Sequence, residues 1–133
     1  MARLSLTRTG SESYRDYLRS PAWGFRRVRW FRDARARGVE PACPVCQLTL
    51  EQAGSLDLHH LRYDGVHRDP VTGAWKAREA DEDLMPMCRA HHEQLHVSLD
   101  ARKEYFGWDR RRATVLIVVR MIRRHRKKTH DHQ

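Results

Sequence analysis

Apolar positions recur along the chain in blocks of different period. Trp23, Trp30 and Ala34 fall near helical spacing, as do Phe25, Val28 and Phe31, so the stretch opening at Pro21 and closing at Gly38 reads as an amphipathic helix. Arg26, Arg27, Arg29, Arg32, Arg35 and Arg37 decorate it, and its aromatics read as core rather than as base-stacking platforms. Upstream, Ser13 and Asp16 make a capping-box-like start for a short helix that ends where Ser20-Pro21 reopens the chain. Leu56 to Leu61 alternates as a strand does, and Val71 to Ala77 forms a second strand after the Asp64-Gly65 turn. The pattern turns helical from about Arg89 to Leu99. A last long element runs from Asp109, as N-cap, to about Lys127 and holds Val115, Leu116, Val118, Val119 and Ile122. Its β-branched run also suits a buried strand, but it continues into Met121-Ile122-Arg123-Arg124 without a turn residue, which favours helix. His125, His130 and His132 read as a frayed tail. Together these elements make a small α+β fold without internal repeats.

The chain has 133 residues, 40% of them hydrophobic and four of them Trp, enough for one domain with a modest core. It is therefore not a disordered basic tail, although 26 Lys and Arg against 17 Asp and Glu give a charge of +9. That excess points to an anionic partner. It is carried by the ends: 10 basic and 4 acidic residues in 1–40, 7 and 11 in 41–108, and 9 and 2 in 109–133. Two basic arms, 1–40 and 101–133, thus flank a central segment, 41–100, where the chemistry is expected. Met1 to Gly10 is broken by Arg3 and Arg8, which points away from a secretory leader. The longest apolar run, Val115 to Val119, falls far short of the roughly 20 residues of a membrane span, so a soluble, cytoplasmic protein with no membrane partner is expected.

Three cysteines cannot close a disulfide framework. Cys43-Pro-Val-Cys46 and Cys88-Arg-Ala-His91 share a two-residue gap, and the two pairs complete a Cys₃His tetrahedral set that suits structural zinc. A redox Cys-x-x-Cys needs a thioredoxin-like βαβ pattern around it, and none is visible. Between the pairs lies His59-His60, and directly after the second comes His92-Glu-Gln-Leu-His96. On a helix His92 and His96 share a face at i, i+4, while His91 is turned by roughly 100° toward the zinc. Isolated histidines are usually structural, but five of nine gathered on two short segments point to a second metal.

The succession Cys43-x-x-Cys46, Leu56-Asp-Leu-His59-His60-Leu-Arg-Tyr63 and Asp83-Leu-Met-Pro-Met-Cys88-x-x-His91-His92-x-x-x-His96 resembles the HNH endonucleases, the zinc-stapled branch of the ββα-metal nucleases. The resemblance spans about residues 41 to 96, and Tyr17-Leu-x-Ser-Pro-x-Trp23 is similar to the N-terminal helix of many bacterial and phage members. It implies a ββα-metal core with helices at both ends. His60 matches the family's general base, and His59 and His92 match ligands of one catalytic divalent ion, Mg²⁺ or Mn²⁺ with Zn²⁺ or Ni²⁺ as alternatives. His96 matches a position that completes the metal shell or contacts the phosphate. Asp57 either orients a histidine from behind or, more commonly for such a residue, decorates the strand. Asp83 replaces the middle Asn of the signature; an ionised carboxylate only accepts hydrogen bonds, so it either holds backbone amides or reaches the metal. The connection from Tyr63 to Asp83 is longer than in compact members and reads as an extended hairpin or a DNA-contacting loop.

The implied partner is double-stranded DNA, in a bacterial cell or a phage-infected host, with its phosphates met by Arg26, Arg27, Arg29, Arg111, Arg112, Arg123, Arg124 and Lys127. No separate specificity domain is visible, so cleavage is either weakly specific or targeted by a partner protein. Two rival readings compete. His92-Glu93-x-x-His96 is also the zincin protease signature, but no downstream third ligand is evident, the chain is short for a protease cleft, and His59-His60 would have no task. The other rival, a noncatalytic zinc module that binds nucleic acid, leaves the same histidines gratuitous.

Overall fold

In the computed structural model, which describes residues 2–3, 14–101, 105 and 107–131, the Trp23, Trp30 and Ala34 stripe lies on helix α1, Pro21–Ala36. Residues 14–18 form a helical turn before it, whose start at Ser13 lies outside the described residues. Ser20 then caps α1, its Oγ accepting the Trp23 N–H at 3.3 Å, and Pro21 fills the first turn, where a missing N–H costs nothing. Gly38, at φ +77°, takes the left-handed conformation that ends the helix. Contacts gather the described residues into two units, 1–39 with 62–84 and 40–61 with 85–133.

Among the described residues of the first unit, one face of α1 is packed. Phe25 and Val28, expected in the core, are 76% and 66% exposed. The place beside the buried tryptophans goes instead to Arg26, which is 4% exposed. Its guanidinium donates twice to the Glu79 carbonyl, at 3.2 and 2.8 Å, and once to Asp81 at 2.6 Å. Arg26 was expected to meet DNA phosphates; that expectation is corrected, because the side chain is enclosed and occupied by the protein itself. Glu79 is buried as well and accepts from the Tyr17 hydroxyl at 2.6 Å. Burial and the Glu79 carboxylate together push the Tyr17 hydroxyl beyond the ordinary tyrosine range.

The connection after Tyr63 is a hairpin. β3, Val66–Arg68, and β4, Trp75–Ala77, pair antiparallel with Val66 opposite Ala77, and β1, Ala2–Arg3, adds to β3. The strand expected from Val71 starts only at Trp75. Asp69 Oδ1 takes the N–H groups of Val71 and Thr72, tying 69–73 into a turn that leaves Val71 at its exposed tip. At the other end the Arg78 N–H donates to the Gly65 carbonyl, and a Cβ on Gly65 would collide with the Arg78 carbonyl, so that crossing needs glycine.

The second unit starts with the Cys43 to Cys46 knuckle, closed by the Cys43 N–H on the Leu48 carbonyl. Thr49 and Gln52 form a capping box on the short helix α2, Leu50–Ala53. β2, Asp57–His60, pairs with β5, Leu84–Met87, a strand that the alternation pattern did not indicate. Helix α3, Arg89–Ala101, follows at once and packs on β2 and on α4, Arg110–Asp131. The β-branched run is thus helical, with Ala113, Thr114, Ile117, Val118 and Met121 on the buried face. The tail expected to fray from His125 continues as helix to Asp131; His132 lies outside the described residues. No described helix is long and apolar enough to cross a membrane.

Candidate metal centres

Both centres lie in the second unit. The first joins the knuckle loop to the start of α3. The ligand atoms of Cys43, Cys46, Cys88 and His91 all lie within 4.8 Å of one another. Cys46 and Cys88 Sγ are 3.9 Å apart, and His91 Nδ1 is 3.2 Å from Cys88 Sγ and 3.8 Å from Cys43 Sγ. Zn–S bonds of 2.3 Å at tetrahedral angles separate sulfurs by about 3.8 Å, so the set fits zinc nearly as it stands. All three cysteines are free of disulfide. Burial raises the Cys43 thiol, but the amides of Cys46, Cys88 and Val45 outweigh it and the net shift is downward. Burial raises Cys88 too, the His91 amide opposes this, and the neighbouring Cys43 adds to it, leaving Cys88 at about 11. Three adjacent thiols resist joint ionisation until a cation sits among them, so the group is chemically suited to a metal such as zinc.

The second centre gathers His59 from β2 with His92 and His96 from α3, again with ligand atoms within 4.8 Å. His92 and His96 meet through the i, i+4 spacing, their Nε2 atoms 3.0 Å apart. Nitrogens sharing one cation at bonds of about 2.0–2.1 Å lie about 3–3.4 Å apart. Each of two rings has its other nitrogen held from behind. His92 Nδ1 is 3.0 Å from the Asp57 carboxylate, and His59 Nε2 is 3.1 Å from Thr114 Oγ1 on α4. The first contact decides the role of Asp57: it orients a histidine, and it also receives the Arg89 guanidinium at 3.2 Å. His59 is 1% exposed, and its Nδ1 has no hydrogen-bond partner among the described residues. A buried nitrogen in that condition is what a metal ligand looks like before the metal is considered.

Electrostatics favour the neutral form of His59 and His96. Burial, then Arg110 and the neighbouring histidines, hold His59 well below the usual imidazole range. Burial, then His92 and Arg110, bring His96 down to about 4. Neutral rings offer the lone pairs that a metal needs.

The remaining expected residues are distributed differently. His60 is fully buried next to His59 but is not part of the three-ring group; its carbonyl accepts Arg110 Nε–H at 2.8 Å. Asp83 ends the 3₁₀ turn 81–83 just before β5, half-buried and outside both ligand groups. Arg29, Arg112, Arg123, Arg124 and Lys127 are exposed, while Arg27 and Arg111 are half-buried. Arg112 lies 4.5 Å over the Trp108 ring, and with Arg111 it lines a cleft of about 510 Å³ along the outer face of α4. Glu93, the base of the protease reading, is exposed. Sequence reasoning missed Thr114, whose only signal is a hydroxyl inside an apolar helical run.

Compared with known proteins, the chain matches no family model, no curated protein and no solved structure.

Proposed function

We propose that the chain is a metal-dependent endonuclease of the HNH type, hydrolysing phosphodiester bonds in double-stranded DNA. One observation carries the reading: His59, His92 and His96 converge apart from the closed Cys₃His set, two of the rings being held from behind by Asp57 and Thr114. A structural zinc needs four ligands from the protein, which the cysteine group supplies. Three ligands leave a position for water or substrate, as catalytic sites do. The order strand with His59-His60, strand, then helix with His92 and His96 supports the ββα-metal comparison.

On this reading the three histidines hold the ion, and Asp57 and Thr114 keep two of the rings aimed. A divalent ion bound there, Mg²⁺ or Mn²⁺ with Zn²⁺ or Ni²⁺ as alternatives, would supply Lewis acidity at the scissile phosphate. His60 takes the proton from the attacking water, a task within reach of an imidazole at neutral pH. Asp83 keeps the motif position of the family's Asn as an acceptor-only group. Arg27, Arg29, Arg111, Arg112, Arg123, Arg124 and Lys127 contact phosphates, so replacing Arg123 and Arg124 together by Ala lowers the salt slope of DNA binding by about 2. A partner protein supplies any sequence targeting.

Supercoiled plasmid incubated with zinc-filled protein and each divalent ion in turn tests this. Nicked or linear product is expected, lost in a folded His60→Ala variant. Intact plasmid with every ion overturns the enzyme and leaves a nucleic-acid-binding zinc module.

A further inference from the structure

Helix α1 has one face pinned to the protein and one face turned outward. On the pinned side Trp23, Arg26, Trp30 and Ala34 are buried. Arg26 donates to the Glu79 carbonyl and to Asp81, and Trp30 Nε1–H donates to the Asp81 carbonyl at 3.1 Å. On the outward side Phe25, Val28, Arg29 and Arg32 follow at i, i+3, i+4 and i+7, and all four are exposed. No other described aromatic side chain is as exposed as Phe25. A lone exposed apolar residue is ordinary, but Phe25 has a second peculiarity beside it. Gly24 has nothing within 4 Å of the place a Cβ would occupy, so no neighbour in the protein demands a glycine there. Glycine inside a helix costs stability, and here it leaves the backbone bare for close approach from outside.

The occupant of this face is constrained by its size and charge. Phe25 and Val28 cover only a small part of the roughly 1,200 Å² that a stable protein interface buries, and arginines continue the face where such an interface would need apolar residues. One apolar side chain set among cations matches a DNA minor groove instead, where wedges of this kind enter base steps and arginines meet the negative walls. Unstacking a step is costly, and a wedge transmits that load only from a stiff mount, which the buried anchors of α1 provide. We propose that Phe25 is a DNA-deforming wedge, entering a base step while Arg29 and Arg32 hold the flanking backbone, so that the bound duplex kinks. The proposal rests on the reading of double-stranded DNA as the partner. It adds what phosphate contacts do not supply, a change in DNA shape and a preference for steps that unstack easily.

Zinc-filled full-length protein, without added catalytic metal, is bound to a duplex of about 25 base pairs with dyes at both ends and 2-aminopurine in a central TA step. With wild-type protein, energy transfer between the ends rises and the 2-aminopurine brightens. Phe25→Ala, a surface change that leaves the melting temperature in place, binds with the salt slope unchanged but leaves the duplex straight and the probe dark. Phe25→Leu, still an apolar wedge, keeps most of the bend, and Arg29→Ala keeps the bend while lowering the salt slope by about 1. The proposal is overturned by a wild-type protein that leaves the duplex straight or unbound, or by Phe25→Ala that bends it fully. A dimer in sedimentation that Phe25→Ala splits, with bending unaffected, also overturns it and makes this face a contact between copies. Failure of the nuclease reading looks different: plasmid stays intact with every ion while bending still depends on Phe25. Plasmid cleaved by a protein that leaves DNA straight removes the wedge and keeps the nuclease.

Discussion

Thr114→Val removes one hydroxyl at nearly constant volume and so isolates the contact behind His59. Thr114 is fully buried and His59 is 1% exposed, so solvent does not replace the lost partner without opening the packing. With Nδ1 as ligand, His59 Nε2–H donates to Thr114 Oγ1 across 3.1 Å. Leaving that donor unsatisfied costs about 1–3 kcal/mol of folding stability. The ring also loses the anchor that fixes its tautomer and aim, and losses of this kind weaken metal affinity by about 10–100-fold. Two assays separate the effects: urea unfolding of zinc-filled protein without a second metal, and calorimetric titration of Mn²⁺ or Ni²⁺ into the same protein. Thr114→Ser, which restores the hydroxyl, should recover most of both losses. If Thr114→Val lowers stability but leaves second-metal affinity within about twofold of wild type, the hydroxyl merely satisfies a core histidine, and the reasoning about orientation is refuted.

Three further outcomes follow from the same geometry. Removing the zinc by strong chelation, or Cys88→Ser, should abolish cooperative unfolding of the unit that holds both centres, because structural zinc contributes about 10–16 kcal/mol in small zinc modules, as much as a whole domain's stability; an unchanged circular dichroism melt would count against the Cys₃His assignment. Arg26→Ala removes the guanidinium that lies 4.0 Å from the buried Glu79 carboxylate and bonds the Glu79 carbonyl and Asp81, and should cost about 3–5 kcal/mol in urea unfolding, whereas Arg29→Ala should stay within about 0.5 kcal/mol; equal effects would mean that Arg26 is a surface residue after all. Without a second metal, the depressed His96 leaves stability intact above its unfolded value of 6.5 and removes it as pH falls from there toward about 4, by at most about 3 kcal/mol. His96→Gln should flatten that segment of the stability–pH curve, and an unaltered curve would contradict the shift.

What was legible in the sequence was local. The two metal pairs are each four residues long, His92 and His96 are one helical turn apart, and Ser20-Pro21 and Gly38 bracket α1, so spacing alone revealed them. What stayed hidden depends on partners far along the chain. Arg26 looked like surface charge because Glu79 and Asp81, more than fifty residues away, are invisible to periodicity. Thr114 and Arg110 reach β2 across similar separations. Phe25 and Val28 have core chemistry but occupy a face of α1 that nothing described covers. β5 contains Pro86, which masks strand character, and Asp69 captured the start of the second expected strand for a turn.

The central claim is that one chain carries two metal centres of different kind and that catalysis belongs to the three-histidine one. Metal stoichiometry and plasmid cleavage measured along one titration test it directly. The account predicts one zinc that survives dialysis, a second divalent ion that exchanges and is lost in His92→Ala, and nicking that rises only with the second occupancy. Cleavage at full rate by protein holding a single zinc, or by His92→Ala, would contradict it.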